Sequence, residues 1–221
     1  IVPPEWNIRD AYIIDLSTGK KIIDFKNHNL HVVGYSSPTN LEISYTDLIN
    51  NIFYLKDQPE AIPYVTSYYS KKWGFCISYN QFKKLKKSSK YRVFIDSDLN
   101  VNGELTYGEL LIKGKVEDEL FFSSYICHPQ MANNELSGPA VLTAIASYIK
   151  NKDNYYSYRF VLIPETIGSI VYLSKNLKSL KKNIKGGFNI TCVGDERSWG
   201  LVPSRYGNNI SDIIAEYILL F

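Results

Sequence analysis

Between residues 119 and 221, apolar runs of strand length alternate with segments of helical spacing, and this alternation restricts the fold more than any other feature of the chain. "ELFFSSYIC" (119–127), "YRFVLIP" (158–164) and "GGFNITCV" (186–193) are apolar almost throughout. A strand without polar alternation has both faces covered, which is the condition of strands in parallel sheets. "PAVLTAIASYIK" (139–150) places Val141, Ile145, Tyr148 and Ile149 on one helical face; Ile167–Leu180 and residues 209–221 have similar spacing. Strand–helix–strand–helix–strand predicts an α/β fold, a largely parallel sheet with flanking helices. Sites in such sheets form in the crevice beyond the carboxyl ends of the strands.

The first half differs. "AYIIDL", "KKIIDF" and "LHVVGY" are short β-branched or aromatic runs broken by turn residues, and "YRVFID" (91–96) and "GELLI" (108–112) extend the β-rich character. Residues 45–55 are spaced for a short helix, and 81–90 for a basic helix or turn. The change of character sets a boundary near residue 115. A chain of 221 residues suffices for one large domain or two small ones. A formal net charge of +3 argues against an obligate nucleic-acid partner. Three cysteines, Cys76, Cys127 and Cys192, give no disulfide framework and suit a reducing, cytoplasmic setting; Cys127 and Cys192 read as buried small hydrophobes. No segment reads as a signal peptide or a membrane span, so no membrane partner is expected. The chain begins without Met and stops inside an amphipathic helix, so it reads as a piece of a longer protein.

Each apolar strand ends in a polar group: His128 after the first, Glu165 after the second, Asp195 after the third. Glu135 falls in the loop after the first. A parallel sheet gathers these ends, and an imidazole with carboxylates is a ligand set for a divalent metal such as zinc. A carboxylate beside that metal can act as general base on its bound water. Blander roles stand beside these: Glu165 as a helix cap favoured by the macrodipole, Asp195 as a turn residue, His128 as a loop hydrogen-bonder. Arg205 in "PSRYG" can hold a substrate carboxylate or phosphate, or make a structural salt bridge. His28 and His31 are expected on opposite faces of a strand, a poor metal pair. Lys83–Lys90 reads as a solvated face, and the aromatic stretch "YVTSYYSKKWGF" (64–75) as packing or as a sugar or peptide cleft.

"HPQMANNELSGPAVLTAI", "RFVLIPETIGSIVYL" and "FNITCVGD" resemble the zinc-dependent exopeptidase superfamily that includes bacterial leucyl aminopeptidases. With "VPPEWNIRDAYI", "IIDFKNHNLHVVGYS", "IPYVTSYY", "WGFCIS", "TYGELLI" and "YICHPQMANNELSGP", essentially the whole chain resembles a bacterial aminopeptidase-like family of unassigned function whose members often lie among polysaccharide-biosynthesis genes. The resemblance implies a peptidase-like α/β core interrupted by a small β-rich domain: residues 1–19 as lead-in to the core, 20–113 as the insertion, 114–221 as an incomplete core. It also implies that intact members extend at both ends, with a further ligand histidine and a winged-helix domain beyond the C-terminal side. Carried over by residue, His128 matches a metal ligand, Glu165 the general base, and Asp195 lies near the aspartate ligand of the third strand, where an ungapped reading puts Thr191. Asn134 stands where the exopeptidases have a metal-bridging Asp, and Thr166 where they have a second Glu. At most one zinc is therefore expected, held by His128, Asp195 and Glu135, with Asn134 and Arg205 placed as substrate-binding residues.

Two functions remain open on the sequence. One is a metal-dependent aminopeptidase-like hydrolase acting on a peptide or an amino-sugar amide, linked to surface polysaccharide biosynthesis, with the 221-residue piece itself inactive. The other is a catalytically degenerate peptidase-fold module that binds a glycan precursor or a protein partner. The sequence leaves the oligomeric state open.

Overall fold

The computed structural model describes residues 4–67, 70–127, 132–198 and 200–219. Packing divides the chain into two units, Ile1–Glu104 and Leu105–Phe221.

The first unit contains, in chain order, β1 (Glu5–Asp15), β2 (Lys20–Asp24), β3 (Thr39–Ser44), α1 (Tyr45–Ile49), β4 (Ile52–Phe53), β5 (Phe75–Cys76), α2 (Tyr79–Phe82) and β6 (Lys90–Asn100). Four of the strands form an antiparallel sheet in the order β2-β1-β6-β3. Alternation explains it: Ala11 and Ile13 on β1 and Tyr91, Val93 and Ile95 on β6 point to one face and are buried. The pairs Ile13↔Val93 and Ala11↔Ile95 hold that face in register. Leu48, Ile52, Phe75 and Ile77 close the core from the other side. The lysines at 83, 84, 86, 87 and 90 are exposed, as a solvated face requires.

Residues 30–35 do not form the expected strand. Asn29–His31 is a 3-10 turn capped by the His28 ring, whose Nδ1 accepts from the Leu30 amide at 3.2 Å. Val32 and Gly34 make only single bridges to Phe75 and Thr66. The apolar side chains are buried here because Val32 and Val33 plug the core, not because a ladder holds them. His28 and His31 therefore meet edge to face at 6.0 Å and do not occupy opposite sheet faces.

The second unit contains β7 (Gly108–Ile112), β8 (Glu119–Tyr125), α3 (Asn133–Ile149), β9 (Ser157–Ile163), α4 (Ile167–Asn183), β10 (Ile184–Asn189) and α5 (Ile210–Leu219). The sheet order is β10-β8-β9-β7; β8 runs parallel to both neighbours, and β7 is an antiparallel edge. Phe160 packs with Leu142, Ala146 and Ile149 of α3, while its neighbour Val161 packs with Tyr172 and Leu180 of α4. Adjacent strand residues face opposite ways, so α3 and α4 cover opposite faces and both must be apolar. At the start of β8, far from the strand ends, Glu119 (5% exposed) takes two hydrogen bonds from Arg159 (15% exposed), at 2.6 and 2.8 Å, and Arg159 also pairs with Glu109. Arg159, first, holds the Glu119 carboxyl below its ordinary value.

The division differs in detail from the sequence reading. β1 belongs to the sheet of the first unit, so residues 5–15 are not a lead-in to the α/β core, and β7 belongs to the second, so the break falls at Glu104/Leu105 and not at 113/114. The parallel pairing of 119–125 with 157–163 is as expected. No helix among the described residues is long and apolar enough to cross a membrane.

Candidate active site

The segment after β10 meets the first turns of α3, which also approach β8 at Ser124. That helix begins at Asn133, six residues earlier than Pro139 suggested; Pro139 lies inside it. Asn133, Ser137 and Glu135 are thus helical, and Glu135 is in the first turn, not in a loop. Asn133 and Ser137, four residues apart, share one face. That face grips the segment after β10: Gly194 N donates to Asn133 Oδ1 (2.8 Å), Val193 N to Ser137 Oγ (2.9 Å), and Thr191 Oγ1 to the Asn134 carbonyl (2.9 Å). Gly138 makes the approach possible. A Cβ there would lie 2.2 Å from Ser124 Oγ and 2.3 Å from the Ile190 carbonyl oxygen.

Glu135 is 8% exposed, and its Oε1 has no hydrogen-bond partner among the described residues. Among the described residues it joins no ion pair. An unsatisfied buried polar atom costs about 1–3 kcal/mol, although the helix N-terminus favours an acid there. Just beyond the end of β8, Cys127 Sγ accepts the Glu165 amide at 3.1 Å. Cys127 is exposed as a residue, contrary to the buried role expected of it, and so is Cys192; only Cys76 is buried. The Cys127 sulfur itself is partly enclosed. That enclosure, first, and the neighbouring Glu135 and Glu165 push its thiol up to about 11.

Glu165 is exposed at the end of β9. The turn after it is tight: Thr166 has φ 55° and ψ −68°, and the Ile167 amide reaches the Glu165 carbonyl at 2.5 Å. This is a γ-turn with positive φ, a strained form. Thr166, not Glu165, is the N-cap of α4, and no side chain caps the helix. The carboxylate is therefore not spent on the cap.

Asp195 follows the gripped segment, after Cys192 at φ 56°. Its Oδ1 accepts Arg197 N and Nε, each at 2.9 Å, and Arg197 Nη2 pairs with Oδ2. Arg197 holds the Asp195 carboxyl below its ordinary value. Thr191 is committed to the Asn134 carbonyl. Arg205 is exposed over the Tyr206 ring, 5.8 Å from its centroid. It joins no ion pair with Glu135, Glu165 or Asp195 among the described residues. His128 lies outside the described residues. The structure thus ties the Glu165 backbone to Cys127, and the segment before Asp195 to α3. Among the described residues no cluster of three His, Cys, Asp or Glu is close enough to hold a metal. The Glu135 oxygen, unpartnered among the described residues, nevertheless fits a cation, whereas both Asp195 oxygens are held by Arg197. Reading the sequence missed Cys127, Asn133, Ser137 and Gly138; the Asn-x-x-x-Ser spacing followed by Gly is the signal that marks the last three.

The fold as a whole is shared with known proteins. A crystal structure of a provisionally named peptidase from Clostridium acetobutylicum superposes with a TM-score of 0.90 at 44% identity, over 99% of this chain and 51% of that one. A zinc aminopeptidase from Bacillus subtilis superposes with a TM-score of 0.63 at 14% identity, over 87% of this chain and 57% of that one, and this likeness is one of fold alone. A Clostridium acetobutylicum protein provisionally named a polysaccharide biosynthesis protein with aminopeptidase-like domain is 44% identical over 219 residues, 99% of this chain. The chain spans about half (50%) of that relative's length. The model of the family described as domain of unknown function DUF4910 matches residues 6–220, and the chain belongs to that family.

Proposed function

We propose that this chain carries part of the active site of a metal-dependent, aminopeptidase-type amide hydrolase. The observation that carries the reading is the buried, unpartnered Glu135 oxygen, set beside the strand ends where a peptidase-like fold gathers its site. In this reading one zinc is held by His128, Glu135 and Asp195, and Asn134 in place of an acid excludes a bridged second metal. Zinc, when bound, polarises an amide carbonyl and lowers the pKa of a bound water. Glu165 takes the proton from the attacking water; the strained turn at Thr166 and the Cys127 contact fix its backbone. Asn134 and Arg205 bind the substrate, an N-terminal peptide or an amide on an amino sugar. The second substrate follows from the name of the Clostridium acetobutylicum relative. The first unit is a β-rich domain of such a peptidase, and the setting is cytoplasmic.

Metal analysis and amide hydrolysis on the intact protein test this. Glu165→Gln should keep its zinc and lose hydrolysis about 10²–10⁴-fold, the usual contribution of a general base. Full activity in that variant would end the assignment. The Arg197 grip on both Asp195 oxygens favours a second reading, a binding module without catalysis. A zinc-free intact protein that hydrolyses nothing but binds a glycan precursor would select it.

A further inference from the structure

We propose that the outer face of α4 docks on an anionic lipid surface. This face is independent of the hydrolase reading. The side of α4 turned to the sheet carries the buried Gly168, Tyr172 and Leu180. At 100° per residue, Ile170, Leu173 and Leu177 fall beside that side in an arc of about 60°. They are 63%, 46% and 45% exposed. Spaced i, i+3, i+7, they form one apolar stripe in solvent. Lys181, Lys178 and Lys175 continue round the helix from the stripe, all exposed. None of the three joins an ion pair among the described residues, whereas Lys182 and Lys185 pair with Glu117 and Asp118 at 3.6 and 3.2 Å. From Ile167 to Asn183 the helix has no acidic residue.

The two features together select the partner. A soluble polyanion would use the lysines and leave the stripe in water. An apolar protein surface would cover the stripe and leave three unpaired cations at its rim. An anionic bilayer takes both: the apolar side chains enter below the headgroups, and the lysine stems bend up to keep their ammonium groups among the phosphates. No helix among the described residues is long and apolar enough to cross the membrane, so α4 lies on it.

Flotation of the intact protein with phosphatidylcholine vesicles, with and without one-third phosphatidylglycerol, tests this. The protein should float with the anionic vesicles alone and should be released in about 1 M NaCl, where the Debye length is about 3 Å. Lys175→Gln, Lys178→Gln and Lys181→Gln combined should weaken binding by about 10²-fold, at roughly fivefold per lysine. Ile170→Gln should weaken it by about five- to tenfold. Lys83→Gln, Lys84→Gln and Lys87→Gln combined remove the same charge from exposed positions of the first unit and should leave binding nearly unchanged. In the unaltered protein, anionic vesicles should slow amide exchange in α4 and not in α3. An intact protein that stays in solution with the anionic vesicles overturns the inference; that result is expected if further polypeptide or a protein partner covers the stripe. Equal loss in the Lys83 set overturns it as unspecific charge. Full binding by Ile170→Gln, with equal binding to polyglutamate, overturns it in favour of a soluble polyanion.

Discussion

Gly138→Ala should loosen the site and the second unit together. The added methyl would sit 2.2 Å from Ser124 Oγ and 2.3 Å from the Ile190 carbonyl oxygen. Ser124 can rotate, but the Ile190 oxygen is backbone. Ordinary contacts lie near ~3.5 Å, so the first turns of α3 must retreat by roughly 1 Å. A shift of that size breaks the hydrogen bonds from Thr191, Val193 and Gly194 to α3, now 2.8–2.9 Å. Overpacking costs about 1–3 kcal/mol, each lost bond about 1 kcal/mol, and the better helix propensity of Ala returns about 1 kcal/mol. The net loss is about 3–5 kcal/mol by the same figures. With a urea slope of ~2 kcal/mol/M, the midpoint of the second unit should fall by about 1.5–2.5 M. Because the chain has two units, the readout is amide exchange of the α3 and β9 peptides in rising urea, not a whole-chain signal. Gly200→Ala is the control, since a Cβ there meets no atom within 4 Å. If Gly138→Ala matches wild type within ~0.5 kcal/mol, the helix does not depend on this approach and the description of the grip is wrong.

Glu119→Gln should cost the second unit about 2–3 kcal/mol, read by the same exchange experiment, because it weakens a charge-assisted double bond to a half-buried guanidinium. Since Arg159 lowers the Glu119 carboxyl below its ordinary 4.5, that stability is present above pH 4.5 and is lost as pH falls through the folded-state value, a slope the variant should lack. His31 is buried against the Cys76 carbonyl, and burial, first, lowers it below 6.5. Above pH 6.5 both folded and unfolded forms are neutral; below it the unfolded chain gains the proton first, so the first unit should weaken as pH falls from 6.5, and His31→Gln should remove that dependence in urea titrations at stepped pH.

The α/β half of the fold was legible because its strands are apolar on both faces, a pattern that few other structures produce. β8, β9 and their parallel pairing followed from it directly. The start of α3 was not legible. Ala132 offers no side-chain cap and Pro139 mimics a first helical residue, so the polar turn 133–138 reads as a loop although it is the part that grips the segment after β10. The strand expected at 30–35 failed for another reason: burial of Val32 and Val33 mimics a strand where the backbone is a turn. β3, with Thr39 buried but Asn40, Leu41 and Glu42 exposed, has too little alternation to announce itself. Glu135 was singled out by its residue type, though in a loop and not in the first turn of α3, and its burial exists only in three dimensions. Cys127 was misread because an apolar run predicts burial along the strand and says nothing about the residue at its end.

The most direct test of the account is a zinc-edge anomalous difference map from crystals of the intact protein grown with zinc. The account predicts the strongest peak at the carboxyl ends of β8 and β9, about 2 Å from an oxygen of Glu135 and from a ring nitrogen of His128. A strongest peak elsewhere, or Glu135 still without a partner in a crystal that holds zinc, would contradict it.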